Sequence, residues 1–356
     1  MRLFLYRERA LKEPVVSRDN NRADYATSHD DYALSPVPEQ ARRGLIGMSV
    51  VMLGFTFFAA SMWTGGTLGQ GFKPWPDLFI VVFGGNLILG TYGALLGYAA
   101  AKTNLSTHTL ARYAFGRLGS KLPSFMLALT QVGWFGVGVA MFASPINKFM
   151  NIDSLPLIIG GGIAMTYTVT VGFKAIERLS KIAVPAIIIL GVTSVTKAIS
   201  DTSGGVDTLL NMAPTAPLTF AVGIALAVGS FISGATLTPD FVRFAKNKTV
   251  GIAATIIGFT FSNSLMFIFG AAGAAATGLP DIAEVLAVQG LLGAGIVLLA
   301  LNIWTTNDNA LYAASLGLRN ITGLKRVHLV IAAGLTGTLL AEFLYHNFVS
   351  WLVFLS

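Results

Sequence analysis

Gln131 and Trp134 stand three residues apart, the spacing that places two side chains on one face of a helix. Asn302, Thr305, Thr306 and Asn309 follow the i, i+3, i+4, i+7 pattern of a single helical face, with Asn307 and Asp308 off it. A third group is the run Ser230-Phe231-Ile232-Ser233. These residue types suit recognition. Two aromatic faces, Trp134 and Phe231, can hold a flat heteroaromatic ring between them, and stacking a base on an aromatic side chain contributes about 1–3 kcal/mol. Gln131, Asn302 or Asn307, and the hydroxyls of Ser230 and Ser233 offer the paired donors and acceptors that the amide-like edge of a nucleobase needs. No fixed cation belongs to this set, which disfavours an anionic ligand, and no carboxylate counter-ion belongs to it, which disfavours an amine. Bond-breaking chemistry lacks its parts. The chain has no Cys, its four His form no ligand spacing, and Asp308 has no second acid or base beside it. Asp240, next to Arg243, reads as half of a structural salt pair.

The elements that must position these residues are membrane spans. The chain has 356 residues, of which 54% are hydrophobic and 12% charged, with a mean hydropathy of +0.68. A soluble domain carries roughly 25% charge. Apolar stretches at 45–70, 78–100, 123–147, 155–173, 180–199, 218–242, 250–276, 290–316 and 327–347 give nine spans of about the 20 residues that a bilayer requires. A tenth begins at Phe348 and is cut off at Ser356. Six of the 24 Lys and Arg residues lie in the first 22 positions; of the other eighteen, fifteen lie just before span 1 (Arg42 and Arg43) or in the loops after spans 2, 4, 6 and 8, whereas the remaining loops hold Lys73, Lys148 and Lys197, with Asp201, Asp207, Asp281 and Glu284 among their acids. The positive-inside rule therefore predicts a cytoplasmic N-terminus. The net charge of +7 is explained by that topology, and nucleic-acid binding is set aside. Residues 1–40, polar and mixed in charge, read as a disordered cytoplasmic tail. The segment 102–121 reads either as an amphipathic helix on the inner surface or as a basic loop.

Spans 1 and 6 both place Gly, Ser and Thr where a lipid-facing helix places Leu, as in Gly54-Phe55-Thr56-Phe57-Phe58-Ala59-Ala60-Ser61 and Gly229-Ser230-Phe231-Ile232-Ser233-Gly234. Small residues also serve close helix packing. Their matching positions at the head of two five-span units, 41–200 and 201–356, favour broken helices at a midplane binding site. Trp134, Phe231 and Asn302 then share one depth with the centre of span 1. Thr305 and Thr306, with carbonyls freed where span 1 breaks, supply oxygen ligands for a small hard cation without a carboxylate, which suits Na⁺. The competing role for the two hydroxyls is bonding back to the i−4 carbonyls.

The runs Gln131-Val132-Gly133-Trp134-Phe135-Gly136, Val228-Gly229-Ser230-Phe231-Ile232-Ser233, Asn263-Ser264-Leu265-Met266-Phe267 and Leu301-Asn302-Ile303-Trp304-Thr305-Thr306-Asn307-Asp308-Asn309 closely resemble the nucleobase:cation symporter family, over Pro36 to Ser356. The resemblance implies an all-α polytopic membrane protein with a LeuT-like fold of five-plus-five inverted repeats, here truncated within the tenth transmembrane helix. It implies uptake of cytosine across the cytoplasmic (inner) membrane, coupled to Na⁺, without an enzymatic cofactor. By motif, Trp134 and Phe231 would sandwich the base, and Gln131, Ser230, Ser233 and Asn302 or Asn307 would read its edges. The Na⁺ would sit between the carbonyls of Gly54, Phe57 and Asn302 and the hydroxyls of Thr305 and Thr306. A monomer is expected, with a small-molecule substrate, Na⁺ and the lipid bilayer as its partners. The alternatives are the same fold carrying another nucleobase or a hydantoin-like ring, and an inactive truncated fragment.

Overall fold

The computed structural model describes residues 31–347. The expected tenth span, from Phe348, lies outside them, as do the first thirty residues of the expected tail. Long apolar runs give helices throughout, since within a bilayer each backbone N–H and C=O must be satisfied inside its own segment, and among the described residues the extended pairing is confined to one bridge, Arg43 with Ala245. Span 1 is two helices, α1 (Leu45–Thr56) and α2 (Ala59–Gly71), bent by 60° at their junction. Span 2 is α3 (Phe79–Thr103). A shorter helix, α4 (Thr107–Gly119), follows, then α5 (Lys121–Met150), α6 (Ser154–Thr170) and α7 (Phe173–Asp201), which are spans 3, 4 and 5. After α8 (Gly205–Asn211), span 6 is split into α9 (Phe220–Gly229), α10 (Ile232–Thr236) and α11 (Thr238–Val242). Span 7 is α12 (Lys248–Ile256) and α13 (Asn263–Thr277), joined by a π-helical stretch at Ile257–Ser262. A short α14 (Ile282–Val288) precedes α15 (Leu292–Thr322) and α16 (Arg326–His346), which are spans 8 and 9.

Among the described residues five spans (2, 3, 5, 7 and 9) are long and apolar enough to cross a membrane, and six if the bent pair is one span. The remaining three of the nine expected spans fall short for separate physical reasons. Helix α6 has 17 residues. Span 6 is broken. Helix α15 has 31 residues, but Asn302, Asn307, Asp308 and Asn309 interrupt its apolar run.

Packing sorts the spans into two groups. Spans 1, 2, 6 and 7 pack on one another through α2 with α13, α3 with α12, and α3 with α9 and α11. Spans 3, 4, 8 and 9 form the other group, through α5 with α15 and α16, and α6 with α16. Helix α7 touches both, packing on α1, α13 and α15. Within the first group spans 1 and 7 approach closely: a Cβ on Gly65 would overlap the Phe267 backbone, and one on Gly270 the Met62 carbonyl. Polar ends are capped locally, by Ser106 on the Thr109 N–H, Asn247 on the Val250 N–H and Asp281 on the Ala283 N–H.

Two expectations need correction. Residues 31–40, assigned above to a disordered tail, include buried Asp31, Ala33 and Val37. The fully buried Arg243 and Arg326 require acceptors. Arg243 donates to the Tyr32 and Asp31 carbonyls at 2.7 and 2.9 Å, and Arg326 lies 3.6 Å from the Asp31 carboxylate. The Asp31 carboxylate also accepts the Phe173 N–H at 2.9 Å. Second, Asp240 does not pair with Arg243 through its carboxylate. That carboxylate accepts the Thr107 N–H at 2.8 Å and stands 3.5 Å from His108 Nε2, while Arg243 Nε donates to the Asp240 backbone carbonyl. The segment between spans 2 and 3 is the helix α4, with Tyr113, Phe115 and Leu118 exposed.

Candidate functional site

The two helix breaks face each other across the molecule. In span 1, α1 ends at Thr56; Phe57 (φ −74°, ψ 96°) and Phe58 (φ −137°, ψ 135°) are extended, and α2 starts at Ala59. In span 6, α9 ends at Gly229 and Phe231 leaves helical geometry at φ −137°, ψ 10°. Between the breaks lies a cavity walled by spans 1, 3, 6 and 8.

Trp134, Gln131, Ser230, Phe231, Ser233 and Asn307 all line this cavity. Each side chain is set by its own surroundings. Phe231 is held edge-on by Phe55 and Phe259, with ring centroids 5.2 and 5.7 Å away. Trp134 is held edge-on by Phe58 at 5.9 Å. Buried Gln131 donates through Nε2 to Ser233 Oγ at 3.4 Å, which links span 3 to the break in span 6. Ser230 donates back to the Ala227 carbonyl at 2.9 Å, leaving its oxygen lone pairs as acceptors. Asn307, placed by spacing off the polar face of span 8, reaches the wall because its Nδ2 donates across to the Phe135 carbonyl at 3.1 Å. Gly138 makes room for it: a Cβ there would come within 2.7 Å of Asn307 Cγ.

Asn302 is the expected edge-reader that does not line the cavity. Its side-chain amide is fully buried, and among the described residues neither Oδ1 nor Nδ2 has a hydrogen-bond partner. Its carbonyl, however, belongs to a cluster of five oxygens. Thr305 Oγ1 donates to the Asn302 carbonyl at 2.8 Å, with the Leu301 carbonyl at 3.2 Å. Thr306 Oγ1 lies 3.0 Å from the Phe57 carbonyl, 3.5 Å from Gly54 and 3.4 Å from Asn302. Hard cations hold oxygen at about 2.3–2.6 Å, so neighbouring ligands of such an ion sit about 3.2–3.7 Å apart. The Thr306 distances are close to that spacing. The carbonyls of Gly54 and Phe57 also belong to the C-terminal end of α1, the negative end of its dipole. No carboxylate is among the five, and among the described residues no group of three or more His, Cys, Asp or Glu could hold a metal.

The cavity and the oxygen cluster share parts. Thr306 belongs to both. Along span 1 the roles alternate, with the Gly54 and Phe57 carbonyls on the cluster and the Phe55 and Phe58 rings on the cavity wall. Asp308 turns away, toward span 4, with both carboxylate oxygens 2.8 Å from Thr168 Oγ1. Phe55, Phe58, Gly234 and Ala310 line the cavity without having been singled out by sequence. Nothing in their types separates them from packing residues; only the proximity of the two Phe to the span 1 break is a signal.

Comparison with known proteins adds four findings. A family model described as a permease for cytosine/purines, uracil, thiamine and allantoin matches residues 36–356. A cytosine permease of Escherichia coli strain K12 is 53% identical over 341 residues, covering 96% of this chain and 78% of that protein. Among solved structures, Mhp1, a nucleobase-cation-symport-1 family transporter in a closed conformation with bromovinylhydantoin bound, matches at TM-score 0.78 and 20% identity, over 87% of this chain and 74% of its own. A substrate-bound, outward-open Na⁺-coupled sialic acid symporter matches at TM-score 0.71 and 14% identity, over 91% of this chain and 77% of its own. The chain thus has the all-α, LeuT-like fold.

Proposed function

From the premise that the chain belongs to the family of permeases for cytosine/purines, uracil, thiamine and allantoin, and is therefore a multi-pass membrane carrier and not an enzyme, we propose that it imports cytosine together with Na⁺ by alternating access. The observation that carries the reading is the sharing of Thr306 and of span 1 between a neutral, aromatic-walled cavity and a carboxylate-free oxygen cluster.

Cytosine stacks between Trp134 and Phe231, which contributes about 1–3 kcal/mol for each face. Gln131, Ser230, Ser233 and Asn307 supply neutral donors and acceptors for its ring edge, each bond contributing about 0.5–1.5 kcal/mol. Na⁺ binds the Gly54, Phe57 and Asn302 carbonyls and the Thr305 and Thr306 hydroxyls. The hydroxyl protons then turn off the carbonyls they now bond, so the ion ties span 1 to span 8. Asn302 lies at this junction, its side-chain amide buried without a hydrogen-bond partner among the described residues.

Ion binding fixes Phe57, and Phe57 fixes Phe58, which braces Trp134. Na⁺ thereby pre-forms one wall of the base site. Both solutes favour the same state, so at equilibrium each tightens the other by the same factor. Spans 1, 2, 6 and 7 move as one body against spans 3, 4, 8 and 9, with the breaks at Phe57-Phe58 and Ser230-Phe231 as the flexible points. The basic loops and the N-terminus face the cytoplasm, the two repeats are 41–200 and 201–356, and the carrier sits in the inner membrane as a monomer.

Uptake of labelled cytosine into a transport-deficient bacterium expressing the chain tests this reading. Cytosine-specific uptake in Na⁺ buffer, resisted by uracil, purines and hydantoins as competitors, is expected. Stronger competition by any of these than by unlabelled cytosine assigns the site to another ring.

A further inference from the structure

Helix α4 leaves the body of the protein halfway along its length. Its first half is anchored: His108 and Thr109 are buried, His108 Nδ1 lies 3.0 Å from Ser124 Oγ, and the Thr107 N–H donates to Asp240. From Tyr113 to Gly119 every residue is exposed. Phe115 is 63% exposed and Leu118 79%. Gly116 (φ 75°, ψ 175°) breaks the helix between them, and a Cβ there would meet nothing within 4 Å. The described residues thus leave this segment uncovered. Its apolar surface continues into span 3 as exposed Leu122, Phe125, Met126 and Leu129, the i, i+3, i+4, i+7 spacing of one helix face. That face of a spanning helix meets lipid, and the same lipid is at hand to cover Phe115 and Leu118.

Positive charge collects at the same place. Arg117 and Lys121 are exposed beside the two apolar residues. Arg112 is half-buried behind them; its Nη2 donates to the Asn320 carbonyl at 3.3 Å and its Nε to the Asn320 side chain. Asn320 donates in turn to Ser124 Oγ at 2.9 Å, which fixes Arg112 against the ends of spans 3 and 8. Burial lowers the Arg112 guanidinium from its ordinary range, and the charges of Arg117 and Arg319 lower it further. Three cations therefore lie near enough to repel one another. No acid stands in the sequence between Lys102 and Ile152, or between Asn309 and Ala341, to offset them. Arg117 makes no ion pair among the described residues. Such a cluster attracts an anion, and the guanidinium fork matches the oxygens of a phosphate group.

We propose that Arg112, Arg117 and Arg319 bind the phosphate group of an anionic phospholipid, whose acyl chains lie along Phe115, Leu118 and Leu122. The adjoining apolar surface favours a lipid over a free phosphate ion, which would leave those side chains in water. In the orientation proposed above the lipid belongs to the inner leaflet; the site itself does not depend on what the carrier transports.

The test is lipid binding to the purified full chain in neutral detergent, with bound lipids counted by native mass spectrometry. Dioleoyl phosphatidylglycerol should bind about tenfold more tightly than dioleoyl phosphatidylcholine. Arg117→Gln removes an exposed charge and should weaken the phosphatidylglycerol complex about fivefold, the share of one basic side chain near the head groups. Lys174→Gln removes an exposed charge from another loop on the same side and should change that affinity by less than about twofold. Leu118→Ser keeps every charge and should also weaken the complex, which reports the acyl-chain contact. Equal affinity for the two lipids, an unchanged complex in Arg117→Gln, or equal losses in Arg117→Gln and Lys174→Gln overturns the proposal. Inorganic phosphate that displaces the lipid at equal concentration, with Leu118→Ser silent, assigns the arginines to a soluble anion and overturns it as well.

Discussion

Thr305 and Thr306 are neighbours with separable roles, and their substitution dissects the proposed coupling. Thr305 Oγ1 contacts only the carbonyls of its own helix, Leu301 and Asn302, whereas Thr306 Oγ1 reaches span 1 and also lines the cavity. A hydrogen-bonding contact to a charged group is worth about 1.5–3 kcal/mol. With tenfold per 1.4 kcal/mol, Thr305→Ala should raise the Na⁺ concentration for half-saturation by about 10- to 150-fold. Because Thr305 does not line the cavity, saturating Na⁺ should restore the wild-type cytosine affinity to within about twofold, as linkage requires. Thr306→Ala should show a similar loss of Na⁺ affinity, but its cytosine affinity should stay reduced at saturating Na⁺. The assay is a cytosine titration on the purified chain, repeated over a series of Na⁺ concentrations at constant ionic strength. An unchanged Na⁺ dependence in Thr305→Ala, or full recovery by Na⁺ in Thr306→Ala, would refute the shared-residue argument.

Three further outcomes are expected. Trp134→Ala removes one stacking face and should weaken central cytosine binding at least tenfold, while Na⁺ binding alone persists by calorimetry. Gly138→Ala drives a methyl group into Asn307 and should lower cytosine affinity tenfold or more, again sparing Na⁺; an unaffected affinity would mean that Asn307 does not read the base. Gly270→Val overlaps the Met62 carbonyl and should cost at least the 1–3 kcal/mol of an overpacked core, seen as a lower thermal unfolding temperature of the purified protein.

Much of the site is legible in the sequence because membrane depth is a ruler. Gln131 and Trp134 had to share a face, and the small polar runs at matching positions of spans 1 and 6 favoured broken helices over close packing. Both breaks occur where those runs lie, at Phe57-Phe58 and Ser230-Phe231. Rotation about a helix is less legible. Asn307 is one residue, about 100°, from Thr306, and only the carbonyl of Phe135 and the space at Gly138 reveal which way it turns. Phe55 and Phe58 were invisible as wall residues because a Phe facing a cavity and one facing lipid read alike. Residues 31–40 look like a tail because their composition is polar, and what holds them, the buried Arg243 and Arg326, comes from distant parts of the chain. The Asp240 carboxylate likewise finds its partners in α4, where a local reading offered Arg243.

The most direct test is calorimetric titration of the purified chain with cytosine in Na⁺ buffer and again with choline in its place, together with Na⁺ titrations with and without cytosine. Cytosine should bind at least tenfold more tightly when Na⁺ is present, and Na⁺ should gain the same factor from cytosine. Equal cytosine affinity in the two buffers, or an affinity that follows pH instead, would separate the base site from the oxygen cluster and end the account.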